Sequence, residues 1–175
     1  NGEQVVKDGN GQFSFYFNSG RPMQRGNVVN GKKIGEWVNY FEFGQVMETG
    51  RYEDDTYLLV NAFDQNGAQM VTNGNGFFKS MYPDGQNVQE AGNFENGLKE
   101  GTWSLYYPGS NTLSGELTFV KGKLNGMQKY YHESGALSTI GDVLDDLREG
   151  EWIWYFENGI VNSKANFVNN KKEGK

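Results

Sequence analysis

The sequence predicts an all-β fold: tandem β-hairpin repeats of about 24 residues, forming an elongated, twisted antiparallel meander sheet. Three observations carry this. A spaced glycine–aromatic frame recurs along the chain. Two-residue turn signals recur in phase with it. No segment shows convincing helical periodicity; the nearest, Val143 to Leu147, is too short and carries a charged pair.

The frame is clearest at Gly150-Glu151-Trp152-Ile153-Trp154-Tyr155-Phe156-Glu157-Asn158-Gly159. With Gly150 at position 0, aromatics fall at +2, +5 and +6, and a second glycine at +9. The same frame starts at Gly11 (Phe13, Tyr16, Phe17, Gly20), Gly35 (Trp37, Tyr40, Phe41, Gly44), Gly76 (Phe78, Met81, Tyr82, Gly85) and Gly101 (Trp103, Tyr106, Tyr107). A weaker copy starts at Gly126, where Gln128 replaces the aromatic at +2 and Tyr130, Tyr131 and Gly135 follow.

The whole chain, 1–175, reads as one array. A truncated unit, 1–10, is followed by units near 11–34, 35–57, 58–75, 76–100, 101–125, 126–149 and 150–175. Asn1 to Phe13 matches Asn66 to Phe78 at 8 of 13 positions, so the chain opens in mid-unit. That leaves room for a leader or further repeats ahead of residue 1, and an unpaired strand is expected at this edge. The unit 58–75 is degenerate and short. Each unit supplies an apolar strand, a turn at the second glycine and a more polar return strand. Asn30-Gly31, Asn96-Gly97 and Lys121-Gly122 mark the hairpins between units. Asp54-Asp55, Asp145-Asp146 and Asn169-Asn170 take the same place without glycine, tolerating the left-handed backbone. The glycines at 0 and +9 are expected at turns with positive φ. Strands are expected near Gln12–Phe17, Glu36–Phe41, Phe77–Tyr82, Thr102–Tyr107, Met127–Tyr131 and Glu151–Phe156.

Composition bounds the function. Aromatics reach 15% against 36% hydrophobic residues overall, which suits large rings covering a thin sheet. The net charge is −6 and no basic cluster exceeds Lys32-Lys33 or Lys171-Lys172. A nucleic-acid partner is therefore not expected, and an anionic membrane is disfavoured on the same ground. With no cysteine and one histidine, His132, no thiolate site or conventional triad assembles. His132 reads as a surface residue at a strand end. Asp54-Asp55 and Asp142 with Asp145-Asp146 lack calcium-loop spacing and read as solvated turn acids. Asn73-Gly74-Asn75-Gly76 and Asp8-Gly9-Asn10-Gly11 precede no helix that would aim a dipole at phosphate. No catalytic residue, cofactor, metal or small-molecule substrate is expected. No signal peptide or membrane-spanning run is seen in this sequence, and the compartment is left open.

Alternation across a strand puts +2, +4 and +6 on one face: Trp152, Trp154 and Phe156; Trp103, Leu105 and Tyr107; Phe13, Phe15 and Phe17. Position +5 points the other way, giving a file of Tyr16, Tyr40, Phe63, Met81, Tyr106, Tyr131 and Tyr155. This file is either a packed cross-strand ladder or a partly exposed row that binds a partner. As a site it would comprise Tyr106, Tyr131 and Tyr155, with Tyr40 and Tyr16.

The frame Gly-x-Trp-x-x-Tyr-x-x-x-Gly, carried best at Gly101-Thr102-Trp103 with Tyr106 and Gly150-Glu151-Trp152 with Tyr155, resembles the MORN repeat. It is more closely similar to the bacterial MORN-variant repeat of YwqK-type antitoxin-like proteins, as is the Asn73–Gly76 junction after a shortened unit. The resemblance implies a non-enzymatic hairpin array that serves as a scaffold, attaches to membranes or neutralises a toxin. The function expected is protein–protein scaffolding, with an as yet unidentified protein partner. The alternatives are an antitoxin or immunity protein, whose acidity would suit a basic toxic enzyme, and a cell-wall or glycan-binding module.

Overall fold

A computed structural model describes residues 9–174. They form strands and turns only, and every strand pair with a defined register is antiparallel. The opening of the truncated unit, residues 1–8, lies outside the described residues.

The strands are β1 (Gly11–Tyr16), β2 (Pro22–Val29), β3 (Lys32–Tyr40), β4 (Val46–Glu53), β5 (Thr56–Phe63), β6 (Gln69–Val71), β7 (Gly76–Met81) and β8 (Val88–Glu95). They continue with β9 (Leu98–Tyr106), β10 (Leu113–Val120), β11 (Lys123–Leu124), β12 (Gly126–Tyr131), β13 (Leu137–Leu144), β14 (Leu147–Tyr155), β15 (Val161–Val168) and β16 (Lys171–Glu173). All six expected strands are present. The meander is not one sheet, however. Strands β1 to β6 form a six-stranded sheet, and β7 to β16 a ten-stranded one, with β11 paired only to β10.

The interruption falls where the repeat is short. Strand β6 has three residues, and Asn73-Gly74 turns the chain at once through the isolated bridge Thr72↔Asn75. The amides of Gly74 and Leu59 then donate to Val60 and Gly97 carbonyls. Beyond the short pairing with β6, the edge of β5 is thus occupied by turns.

Contacts divide the chain into two compact units. One runs up to Phe78 and takes in Phe94–Leu98; the other holds Lys79–Asn93 and the chain from Lys99 onward. The first has a core of Leu59, Ala62 and Val71, packed by Tyr57, Met70, Phe78 and Phe94. In the second, Val143, Trp152 and Phe167 are packed by Leu124, Tyr130, Trp154 and Ala165.

The hairpins follow the turn chemistry. Both central residues have positive φ at Asn30-Gly31, Asp54-Asp55, Asn96-Gly97, Lys121-Gly122, Asp145-Asp146 and Asn169-Asn170, as a type I′ connection requires. Here the acids have structural partners: Asp55 pairs with Lys32, and Asp146 Oδ1 accepts the Leu124 amide at 2.8 Å.

One expectation about the frame is corrected. The glycine at position 0 has positive φ but is not a turn. Gly35 lies inside β3, where the ladder steps from Gly26↔Trp37 to Asn27↔Ile34 and leaves Gly35-Glu36 unmatched. It is the left-handed residue of a bulge, which lets the strand continue. Strands therefore run through the unit boundaries, and sixteen are present among the described residues.

In three repeats a tryptophan stands two residues past the position-0 glycine. Trp37, Trp103 and Trp152 are buried. Their rings lie over Gly26, Gly92 and Gly141 of the preceding strand, where an added Cβ would stand 2.1, 2.4 and 2.3 Å from ring carbon Cδ2. A cation covers the ring: Lys33 Nζ is 4.4 Å from the Trp37 centroid, Lys99 Nζ 3.8 Å from Trp103 and Arg148 Cζ 4.8 Å from Trp152. The indole N–H of Trp103 donates to Asn93 O at 3.1 Å and that of Trp152 to Asp142 O at 3.0 Å.

Gln128 is the exception. It stands where a tryptophan would, and is fully buried. Register places Leu117 where the other repeats have glycine, and Leu124 holds the cation position. Its Nε2 donates to Thr118 O at 3.3 Å and Gly126 O at 2.9 Å, while its Oε1 accepts the Thr118 amide at 3.1 Å. The amide group thus replaces the indole N–H and fills the smaller space that Leu117 leaves.

Candidate functional site

Each tyrosine of the +5 file ends or nearly ends its strand and faces an aliphatic residue across the ladder. The pairs are Tyr16↔Pro22, Tyr40↔Val46, Tyr106↔Leu113, Tyr131↔Leu137 and Tyr155↔Val161. Residues directly opposite in an antiparallel ladder share a face. In the second unit this gives an apolar stripe, Tyr106, Leu113, Tyr131, Leu137, Tyr155 and Val161. The first unit carries a separate stripe of Tyr16, Pro22, Tyr40 and Val46. The sequence reading missed the aliphatic members, although an apolar residue opens every return strand named here.

The rings are neither core nor free. Tyr40, Tyr106, Tyr131 and Tyr155 are half-buried, Tyr16 is 43% exposed and Val161 43% exposed. Arg25 covers Tyr40, its Cζ 5.9 Å from the ring centroid. The Tyr131 hydroxyl donates to Glu116 Oε2, and Lys129 Nζ stands 3.7 Å from the same oxygen. Burial first, and then the bond to Glu116, push the Tyr131 phenol up to about 12. In the degenerate repeat, Phe63 faces Gln69 instead of an aliphatic residue, so the pattern lapses there.

The +6 residues lie just past the strand ends, and Phe156 is 51% exposed. Several reach the next repeat. Tyr82 Oη donates to Tyr106 O and Tyr107 Oη to Tyr131 O, both at 2.6 Å. His132 is not a plain surface residue: it is half-buried, with Nε2 3.0 Å from Tyr155 O, so this nitrogen carries the proton. The three bonds fix the backbone at Tyr106, Tyr131 and Tyr155. No group of three metal-ligating side chains occurs among the described residues.

Residues 33–54 and 148–169 match the MORN repeat variant. The two MORN-variant segments cover β3–β4 and β14–β15, each with its cation, buried tryptophan, +5 tyrosine and small return-strand residue (Gly50, Ala165). Gln128, Leu117 and Leu124, which replace that set around β12, lie outside both matches. No curated protein matches the chain.

Proposed function

We propose that the protein is a non-enzymatic repeat scaffold that binds a protein partner through the tyrosine–aliphatic stripe. One observation carries the reading: Tyr106, Tyr131 and Tyr155 are half-buried on a backbone pinned by Tyr82, Tyr107 and His132, whereas Trp103, Gln128 and Trp152 of the same repeats are sequestered. Rings held this way offer contact area at low entropic cost. MORN repeats are in general protein- or membrane-interaction modules, which supports a binding role. A narrower role, neutralising a basic toxic protein, draws on the net charge of −6.

The test compares the wild-type chain with Tyr106→Ser/Tyr131→Ser as bait in extract of the source cell. A partner held by the wild type and lost by a folded double variant, with affinity reduced more than about tenfold, is the expected result. Equal capture by both would move the site elsewhere.

A further inference from the structure

We infer that the stripe Tyr106–Leu113–Tyr131–Leu137–Tyr155 takes a basic, proline-rich peptide in the polyproline II conformation, resting on the scaffold role proposed above. The first ground is spacing. One strand intervenes in the ladder between successive tyrosines, β10 between Tyr106 and Tyr131 and β13 between Tyr131 and Tyr155. Two strand spacings separate the rings by about 9.4–9.8 Å. A polyproline II helix repeats every three residues, about 9.3 Å. A peptide crossing the strands would set every third residue against a tyrosine, with the intervening aliphatic side chains beneath it. An α-helix returns to the same face after seven residues, about 10.5 Å, and falls out of step by the third ring.

The second ground is the mode of contact. The stripe lies on a sheet face whose backbone groups are used by neighbouring strands and by the bonds from Tyr82, Tyr107 and His132. It can offer side chains but no strand edge. A polyproline II segment needs no backbone ladder and arrives already ordered.

The third ground is charge. Two lysines of this face are already paired, Lys129 with Glu116 at 3.7 Å and Lys164 with Glu151 at 3.0 Å, while Lys79 and Lys171 lie on the end strands β7 and β16. Glu133 and Glu157 lie two residues past Tyr131 and Tyr155, are exposed, and have no ion pair among the described residues. The turn end of the stripe is therefore acidic and complements arginines flanking the prolines.

The experiment is a fluorescence-anisotropy titration of the whole chain with a labelled peptide of repeated Pro-Pro-Arg triplets. A Gly-Ser-Arg peptide of equal length and charge is the control. The proline peptide is expected to bind saturably and the control to bind at least about tenfold more weakly. Tyr106→Ser, whose hydroxyl makes no hydrogen bond among the described residues, should weaken binding, and so should Glu133→Gln/Glu157→Gln, each with an unchanged circular-dichroism spectrum. Equal binding of both peptides, or of neither, overturns the proposal. So does a dimer that Tyr106→Ser dissolves, which would assign the stripe to a second copy. If neither peptide binds but a cellular protein is still lost from Tyr106→Ser/Tyr131→Ser, the scaffold role stands and the peptide class alone is wrong.

Discussion

Trp152 lies flat against Gly141: a methyl group added at Gly141 would stand 2.3 Å from ring carbon Cδ2. The same contact joins Trp103 to Gly92 and Trp37 to Gly26. These three repeats thus bury an indole against backbone on one side, with a lysine or arginine over the ring. Gly141→Ala should therefore destabilise by about 1–3 kcal/mol, the usual cost of overpacking. Urea denaturation gives the value, and an unchanged midpoint would show that the ring can lift away.

Trp103→Ala should cost about 3–5 kcal/mol, as for large aromatic deletions in cores. Ser104 is half-buried on the opposite face, where it pairs with Glu116 across the ladder. Ser104→Ala should lie within about 0.5 kcal/mol of wild type. Similar melting temperatures for the two variants would contradict the face assignment.

Gln128 and Leu117 should behave as a coupled pair. Gln128→Ala leaves the Thr118 amide and carbonyl without their side-chain partner and should cost about 1–3 kcal/mol. Gln128→Trp alone should destabilise, because Leu117 occupies the ring's seat. Adding Leu117→Gly and Leu124→Lys rebuilds the set found at Trp103 and should recover much of the loss. Additive effects of the three substitutions would rule out the complementary exchange.

The repeat frame, the strands and the left-handed hairpin turns were legible in the sequence, because Gly11 to Gly150 mark the period and Asn-Gly or Asp-Asp pairs state their turn type. Other features depended on pairing across strands. The glycine beneath each tryptophan is a return-strand residue, and only the register shows Gly141 under Trp152. Likewise, Gly35 looks like a turn until β2 is laid beside β3. The separation into two sheets follows from the short unit 58–75, whose length was legible but whose effect on pairing was not. At the site, the +5 tyrosines were found by spacing, and their aliphatic partners and the hydroxyl links from Tyr82 and Tyr107 were not, since they join different hairpins.

The Tyr131 phenol supplies a pH test. Its folded value is raised to about 12 by burial and by Glu116, against about 10 for an unfolded tyrosine. The folded state holds this proton more tightly, so its contribution to stability is complete below about pH 10. It is then lost as pH rises through about 12. Site-resolved tyrosine chemical shifts should show Tyr131 ionising late, and Glu116→Gln should bring its midpoint down. A midpoint that ignores Glu116 would remove the bond from the account.

The central claim, that the tyrosine stripe is an accessible surface while Trp37, Trp103 and Trp152 are core, is tested most directly by hydroxyl-radical footprinting of the free protein. Tyr16, Tyr106 and Tyr155 should be oxidised readily, with Trp37, Trp103 and Trp152 protected until the chain unfolds. Protection of Tyr106 and Tyr155 equal to that of Trp103 would place the stripe in the core and contradict the proposed function.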